Sequence, residues 1–431
     1  MNITVVGLGK IGLPLAVQYA SSGHHVYGAD VNAGTVATVN EGREPFPGEA
    51  HLAEKLASVV SSGSLTAMTD TAGAVAQSDA VVIVVPLFVD DADQPDFGWM
   101  DAATADVARG LKPGTLVSYE TTLPVGTTRN RFKPVLESGS GLTEGTDFHL
   151  IFSPERVLTG RVFADLRKYP KLVGGLSAAG AERGVAFYRQ VLQFDERPDL
   201  PRGNGVWDLG SAEAAELAKL AETTYRDVNI GLANQFATFA AEHGIDVYQV
   251  IEASNSQPYS HIHRPGIAVG GHCIPVYPRL YLFNDPNATV VRAARAANAA
   301  MPSYAVGLAA GAYGDLAGAR VAVLGAAYRG GVKETAFSGV FATVEALRDA
   351  GAQVVVHDPM YTDDELAGFG WTPYHLGEPV NVAIVQADHA EYRSLAAADL
   401  PGVAVIVDGR AILDAAAFPG VDIRVIGRAA G

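Results

Sequence analysis

The apolar positions change period twice within the first 30 residues. "NITVVG" (2–7) is a short run closed by glycine, "LPLAVQYASSG" (13–23) places apolar residues at helical spacing, and "HHVYGAD" (24–30) is short and apolar again. That order predicts strand, glycine turn, helix and strand, one βαβ unit. The runs "DAVVIVVP" (79–86) and "GTLVSYETTLP" (114–124) predict further parallel strands buried on both faces. Residues 91–114 read as a loop and a helix, "VGTTRNRFKPVLE" (125–137) as another helix, and "FHLIFSPERV" (148–157) as a strand entering a loop.

An Ala-rich stretch from 211 to 244 keeps helical spacing until Gly244, a natural residue just past a helix end. At 1.5 Å per residue it predicts a helix long enough to bridge two domains and offer a dimer face. Residues 286–314 predict another helix. Near 320 the first pattern restarts: "ARVAVLGAAYRGG" (319–331) is a strand and a glycine-rich loop, followed by a helix and a strand ending at Asp358. "VNVAIVQADH" (380–389) and "GVAVIVDGR" (402–410) add strands. The expected class is α/β: two Rossmann-like, doubly wound parallel-sheet domains joined by a long central helix. The expected bounds are 1–205, 206–312 and 313–431.

Composition narrows the function. The 431 residues exceed one ordinary core, and 48% are hydrophobic, so large cores can be buried. No run approaches the ~20 apolar residues of a membrane span, and the opening "MNITVVGLGKIG" lacks the basic region and cleavage site of a signal peptide. The single cysteine excludes an intramolecular disulfide and fits a reducing, cytoplasmic setting. A net charge of −16 without a basic block argues against nucleic acid.

The spacing Gly7, Gly9, Gly12 gives the first turn a chemistry. Gly7 permits the tight turn, Gly9 lets a phosphate reach the backbone, and Gly12 lets helix and strand pack closely. Lys10 and Ile11 lie in the same turn, whose helix N-terminus faces a pyrophosphate. Asp30 ends the second strand, where a carboxylate bonds a ribose 2′-hydroxyl and repels a 2′-phosphate, so NAD is expected over NADP. The second glycine loop does not repeat GxGxxG, which favours another phosphorylated ligand there.

Ordered motifs then carry a resemblance along almost the whole chain: "VVGLGKIGLPLA", "ETTLPVGTT" (120–128), "SPERVLTG" (153–160), "AKLAETTYRDVNIGLAN" (218–234), "PGIAVGGHCIP" (265–275), "VLGAAYRGGVKE" (323–334) and "DGRAILD" (408–414). The chain resembles the UDP-glucose/GDP-mannose dehydrogenase family, and "RDVNI" with "GGHC" resembles its UDP-N-acetylhexosamine branch. The resemblance implies oxidation of a sugar C6 alcohol to a carboxylate with two NAD⁺. It makes Cys273 the nucleophile that captures the aldehyde as a thiohemiacetal and then forms a thioester. The plainer reading, Cys273 as a small buried hydrophobe, does not explain the glycines around it, Gly271 among them, which let a substrate approach. A zinc site at His261, His263, His272 and Cys273 lacks any CxxC, and no metal is expected.

The resemblance further implies that Lys219 steadies the oxyanion and assists proton transfer. Set among Ala and Leu, it reads as a buried amine rather than a solvated one. Thr122 is implied beside the nicotinamide and a water, Glu155 at the reaction centre and Arg156 on the substrate. A homodimer through the 211–244 helix is the family expectation.

Four places depart from the family pattern. Tyr277 replaces an aspartate, Thr223 an asparagine, Leu87 and Phe88 stand in the cofactor-edge segment, and Ala336 and Phe337 interrupt a nucleotide-binding signature that holds an arginine. Tyr277 is neutral near pH 7 and cannot replace a carboxylate, and losing one oxyanion donor costs about 10²–10³ in rate. Arg264, Arg279 and Arg329 are available to compensate on the substrate side. The main reading is therefore a cytoplasmic NAD-dependent nucleotide-sugar 6-dehydrogenase. Its rivals are the same fold on a different nucleotide or phosphorylated sugar, a single two-electron oxidation stopping at the aldehyde, and a silent nucleotide-binding paralogue.

Overall fold

A computed structural model describes residues 1–90 and 92–429. The chain forms two compact units: residues 1–222 with 279–284, and residues 223–278 with 285–431.

In the first unit the strands are β1 (Asn2–Val6), β2 (His25–Ala29), β3 (Leu65–Met68), β4 (Ala80–Ile83), the small pair β5 (Phe88–Val89) and β6 (Pro95–Asp96), β7 (Leu116–Tyr119), β8 (His149–Phe152), β9 (Lys171–Gly175) and β10 (Val206–Asp208). Eight of them make one sheet in the order β10-β9-β8-β7-β4-β1-β2-β3. Their side chains read as continuous apolar runs because helices cover both faces, and Ile3, Val5, Val82 and Ile151 are fully buried. The order reverses at β1, which pairs with β2 on one side and β4 on the other, Val5 lying opposite Gly28 and Val82. Ligands of such sheets bind beyond the strand carboxyl ends at this reversal.

Three local features go beyond the sequence reading. β9 runs antiparallel to β8, Ile151 opposite Gly175, because an apolar run carries no information about strand direction. The β5–β6 pair, whose second strand falls in the expected loop of 91–114, precedes the expected helix, which spans Gly98–Gly110. The 125–137 helix opens with a π-turn over Thr128–Phe132 before becoming regular at Lys133.

The second unit holds β11 (Arg320–Leu324), β12 (Gln353–His357), β13 (Thr372–Pro373), β14 (Val382–Val385), β15 (Val405–Asp408) and β16 (Asp422–Val425). They form a parallel sheet in the order β13-β12-β11-β14-β15-β16, with its own reversal at β11. Its core joins Val321, Val323, Ile384 and Val407 to Met301 and Ala305 of the Thr289–Tyr313 helix. The long helix spans Ala212–Glu242 and stops before Gly244, whose φ of +73° ends it. Its first residues belong to the first unit and the remainder to the second.

Candidate active site

The first glycine turn has three different surroundings. Gly7 takes φ +92°. A Cβ on Gly12 would stand 1.8 Å from the Gly7 carbonyl oxygen, so strand and helix meet through hydrogen alone. A Cβ on Gly9 would meet no protein atom within 4 Å. That open face, at the start of the Gly12–Ser21 helix and with no acidic side chain in the helix's first turn, suits a diphosphate. Asp30 follows β2, accepting Leu8 N–H on Oδ2 and Asn32 N–H on Oδ1, each at 2.8 Å. Each oxygen keeps a second lone pair for ribose hydroxyls. Lys10 is exposed and Ile11 half-buried beside the core. These residues fit NAD.

The loop after β7 carries Thr122, which is buried. Its anchor is Glu216 on the long helix. Glu216 Oε2 accepts Gly126 N–H at 2.5 Å, and Oε1 accepts Thr128 N–H at 3.0 Å and the Thr128 hydroxyl at 2.7 Å. Burial pushes its carboxyl up to about 7 against those bonds. Lys219 lies three residues along the same helix and is 6% exposed, a buried lysine rather than a solvated one.

Glu155 leaves β8 and turns inward. Its Oε2 accepts from Lys171 Nζ at 2.8 Å, and its Oε1 accepts Arg156 N–H at 2.7 Å. The same ammonium bonds Glu120 Oε2 at 2.6 Å. Arg156 points elsewhere: its Nε donates to Glu222 at 2.7 Å and its Nη1 to the Pro170 carbonyl at 3.2 Å.

The remaining expected residues, Arg279 apart, lie in the second unit. The cysteine segment is held from two sides. On the long helix, Asn229 accepts His263 N–H at 2.8 Å and donates to the His261 carbonyl, while Asn234 accepts Gly266 N–H at 2.9 Å. On the sheet side, Gln386 donates to the Ile267 carbonyl at 2.9 Å, and Gly271 N–H donates to the Ala336 carbonyl at 2.9 Å. Gly271 takes φ +86°, and a Cβ there would press the Tyr328 ring at 3.1 Å. A Cβ on Gly270 would stand 2.4 Å from Tyr328 Cβ. These glycines therefore serve close docking onto the loop after β11, as well as any approach of substrate.

Cys273 is partly exposed, and its carbonyl accepts Tyr277 N–H at 3.0 Å as the Tyr277–Asn284 helix begins. Thr223 is fully buried, whereas Arg264 and Arg329 are exposed. Arg279, in the first unit, is paired with Asp93 at 2.7 Å. Phe337 adopts φ +51° and meets His272 edge-on at 6.3 Å. Among the described residues no three His, Cys, Asp or Glu side chains stand together as a metal site, and no helix is long and apolar enough to cross a membrane.

Sequence reading missed several residues. Asp358 resembles Asp30 in position, yet its carboxylate is consumed internally. Its Oδ2 accepts Ala326 N–H, Ala327 N–H and His389 Nε2 at 2.8 to 3.1 Å, and its Oδ1 accepts Met360 N–H. Burial opposes its charge, but these bonds outweigh burial and hold the carboxyl below its ordinary value. Arg410, inside "DGRAILD", lies against Gly266 and donates to the Gln386 carbonyl at 2.8 Å. Lys171 gave no signal, since "KLVGG" reads only as strand.

Comparison with known proteins agrees with this layout. Three models of the UDP-glucose/GDP-mannose dehydrogenase family match: its NAD binding domain over residues 1–192, its central domain over 213–300 and its UDP binding domain over 322–415. The UDP-N-acetyl-D-mannosamine dehydrogenase of Pyrococcus horikoshii is 36% identical over 425 residues, 96% of each chain. The solved structure of the P. horikoshii UDP-D-ManNAc dehydrogenase superposes with a TM-score of 0.86 at 33% identity over 99% of each chain. A UDP-glucose dehydrogenase from Pyrobaculum islandicum reaches the same TM-score at 28% identity, over 99% of this chain and 98% of its own. The chain belongs to the UDP-glucose/GDP-mannose dehydrogenase family and is an NAD-dependent nucleotide-sugar dehydrogenase.

Proposed function

We propose that the enzyme oxidises the C6 alcohol of a UDP-N-acetylhexosamine, UDP-N-acetylmannosamine first, to the carboxylate. The observation that carries this reading is the docking of the Cys273 segment, through Gly270 and Gly271, onto the loop after β11 in the UDP binding domain. A nucleotide held by that loop brings its sugar to the thiol. The 36% identity to a UDP-N-acetyl-D-mannosamine dehydrogenase supports the choice of sugar. The equal TM-score to a UDP-glucose dehydrogenase means that the fold alone does not select it.

The cofactor, when bound, accepts hydride from C6. Gly9, Lys10 and Ile11 line its diphosphate, Asp30 its ribose and Thr122 its nicotinamide end. Lys219, buried, stabilises the oxyanion at C6 and carries its proton. The Cys273 sulfur adds to the aldehyde carbon, and the thioester formed after the second oxidation yields to water. Glu155 positions that water, while Arg156, expected on the substrate, is turned to Glu222. Thr223, Gly271, Tyr277, Arg264 and Arg329 complete the substrate side. The protein works in the cytoplasm as a homodimer. Tyr225, Leu232, Phe236 and Phe239, all exposed, recur along one face of the long helix at spacings that match a packing seam.

A turnover screen of UDP-N-acetylmannosamine, UDP-N-acetylglucosamine, UDP-glucose and GDP-mannose with NAD⁺ tests the reading. Two NADH per acid on a UDP-N-acetylhexosamine are expected. One NADH per aldehyde, or turnover confined to UDP-glucose or GDP-mannose, would refute it. Light scattering that returns a monomer at working concentration would refute the dimer.

A further inference from the structure

The mechanism above uses Glu155 but leaves unexplained the buried charges behind it. Lys171 is 4% exposed and has two carboxylates on one ammonium, Glu120 at 2.6 Å and Glu155 at 2.8 Å. Two anions and one cation leave a surplus negative charge where water is excluded, which is unfavourable unless one carboxyl keeps a proton.

The Glu155 side chain is 10% exposed and that of Glu120 not at all, so burial favours Glu120 as the holder, against the donors to its oxygens, which favour its anion. Its Oε1 accepts the Tyr188 hydroxyl at 2.6 Å and the Tyr19 hydroxyl at 3.3 Å, from the Ala178–Val191 and Gly12–Ser21 helices. Tyr188 is tied in turn to Ser118 at 2.7 Å, and its ring lies under Lys171 Nζ at 4.8 Å. Glu155 instead takes Arg156 N–H on its other oxygen, while the Arg156 guanidinium is spent on Glu222. Burial pushes Glu120 up to about 7. Burial also opposes charge on Glu155, but Lys171 outweighs it and Glu155 falls below its ordinary value. Glu120 sits two residues before Thr122, and Glu155 opens the loop after β8, so both ends of the network lie on segments already given to the reaction centre.

We propose that Glu120, Lys171 and Glu155 form a buried unit holding one proton, in which Glu120 and Lys171 are positioning residues that fix the charge and direction of Glu155. The inference rests on the role given to Glu155 above. Below neutral pH the proton resides on Glu120 and Lys171 belongs to Glu155. When Glu120 loses that proton, two carboxylates compete for one ammonium and Glu155 is pulled from its place. The step is a proton leaving one carboxyl, with no other bond changed.

The test measures kcat and KM for UDP-N-acetylmannosamine with NAD⁺ from pH 5.5 to 8.5. The parent kcat should change across pH 6–8. Glu120→Gln, whose amide cannot titrate, should flatten that change. Lys171→Met should lower kcat at least tenfold with KM moved less than threefold, and Lys171→Arg should recover most of the loss. Thermal melting and NAD titration report folding, and if Lys171→Met does not fold, Glu120→Gln and Lys171→Arg decide. Parental kcat in Glu155→Gln would overturn the role of Glu155. An impaired Glu155→Gln beside a Glu120→Gln profile with the parental inflection would overturn this inference alone.

Discussion

Alanine at Gly9 and at Gly12 should fail in opposite ways. At Gly12 the new Cβ would lie 1.8 Å from the Gly7 carbonyl oxygen, where ordinary contact begins at 3.4 Å. The strand or the helix must retreat by about 1.6 Å, and overpacking of that kind costs about 1–3 kcal/mol or more. In a unit of this size each kcal/mol lowers Tm by about 2–4 °C. At Gly9 the Cβ meets no protein atom within 4 Å, so the fold loses nothing and the unfolded chain loses some freedom, worth about 0.4–1 kcal/mol of stabilisation. The ligand is what suffers. A phosphate oxygen must come within about 2.7–3.2 Å of a backbone N–H, whereas a methyl group holds neighbours at about 3.5–4.0 Å. A lost charge-assisted bond costs about 1.5–3 kcal/mol, or about a 10- to 150-fold weaker Kd for NAD. Melting curves and calorimetric NAD titration separate the two variants. Gly9→Ala should melt at or above the parent temperature and bind NAD at least tenfold more weakly. Gly12→Ala should melt lower whether or not it binds. Parental NAD affinity in Gly9→Ala would refute the assignment of this face to the diphosphate.

Three further outcomes are expected. Glu216 is pushed up to about 7 by burial, so between about pH 4.5 and 7 the folded state binds more protons than the unfolded one. That stabilisation is complete below the unfolded value and is lost as pH rises through the folded one. Glu216→Gln should therefore show a smaller fall in urea midpoint from pH 5 to 8 than the parent, and equal falls would contradict the shift. Asp358→Ala strips the acceptor from Ala326, Ala327, Met360 and His389. It should destabilise the second unit by about 2–4 kcal/mol, since each stranded buried donor costs about 1–3 kcal/mol; an unchanged denaturation midpoint would count against it. Asn234→Ala frees the buried Gly266 N–H and should lower kcat through the cysteine segment while NAD affinity stays at the parent value. Weakened NAD binding would show that the residue acts elsewhere.

Much of this protein was legible in the chain order of its residues. Hydrophobic period and glycine spacing are local properties, and Gly7 makes the tight turn and Gly12 the close helix–strand approach that their spacing predicts, because one turn contains them both. The long helix could be read for the same reason, ending two residues before Gly244. Motif order along the chain was enough to identify the family. Asp358 shows the limit. It ends its strand as Asp30 does, yet only folding shows that its carboxylate is already filled by the loop after β11, by Met360 and by His389, thirty-one residues on. Lys171 shows the same limit more sharply. A lysine opening an apolar strand carries no local sign of charge partners, and its role depends on Glu120 and Glu155, supplied by two other strand ends. The reversal of β9 was likewise undetermined by its apolar run. Local sequence determined the elements, the glycine turn and the order of the family's motifs. Tertiary structure alone decided which buried charges meet, because burial and pairing depend on residues far apart in the chain.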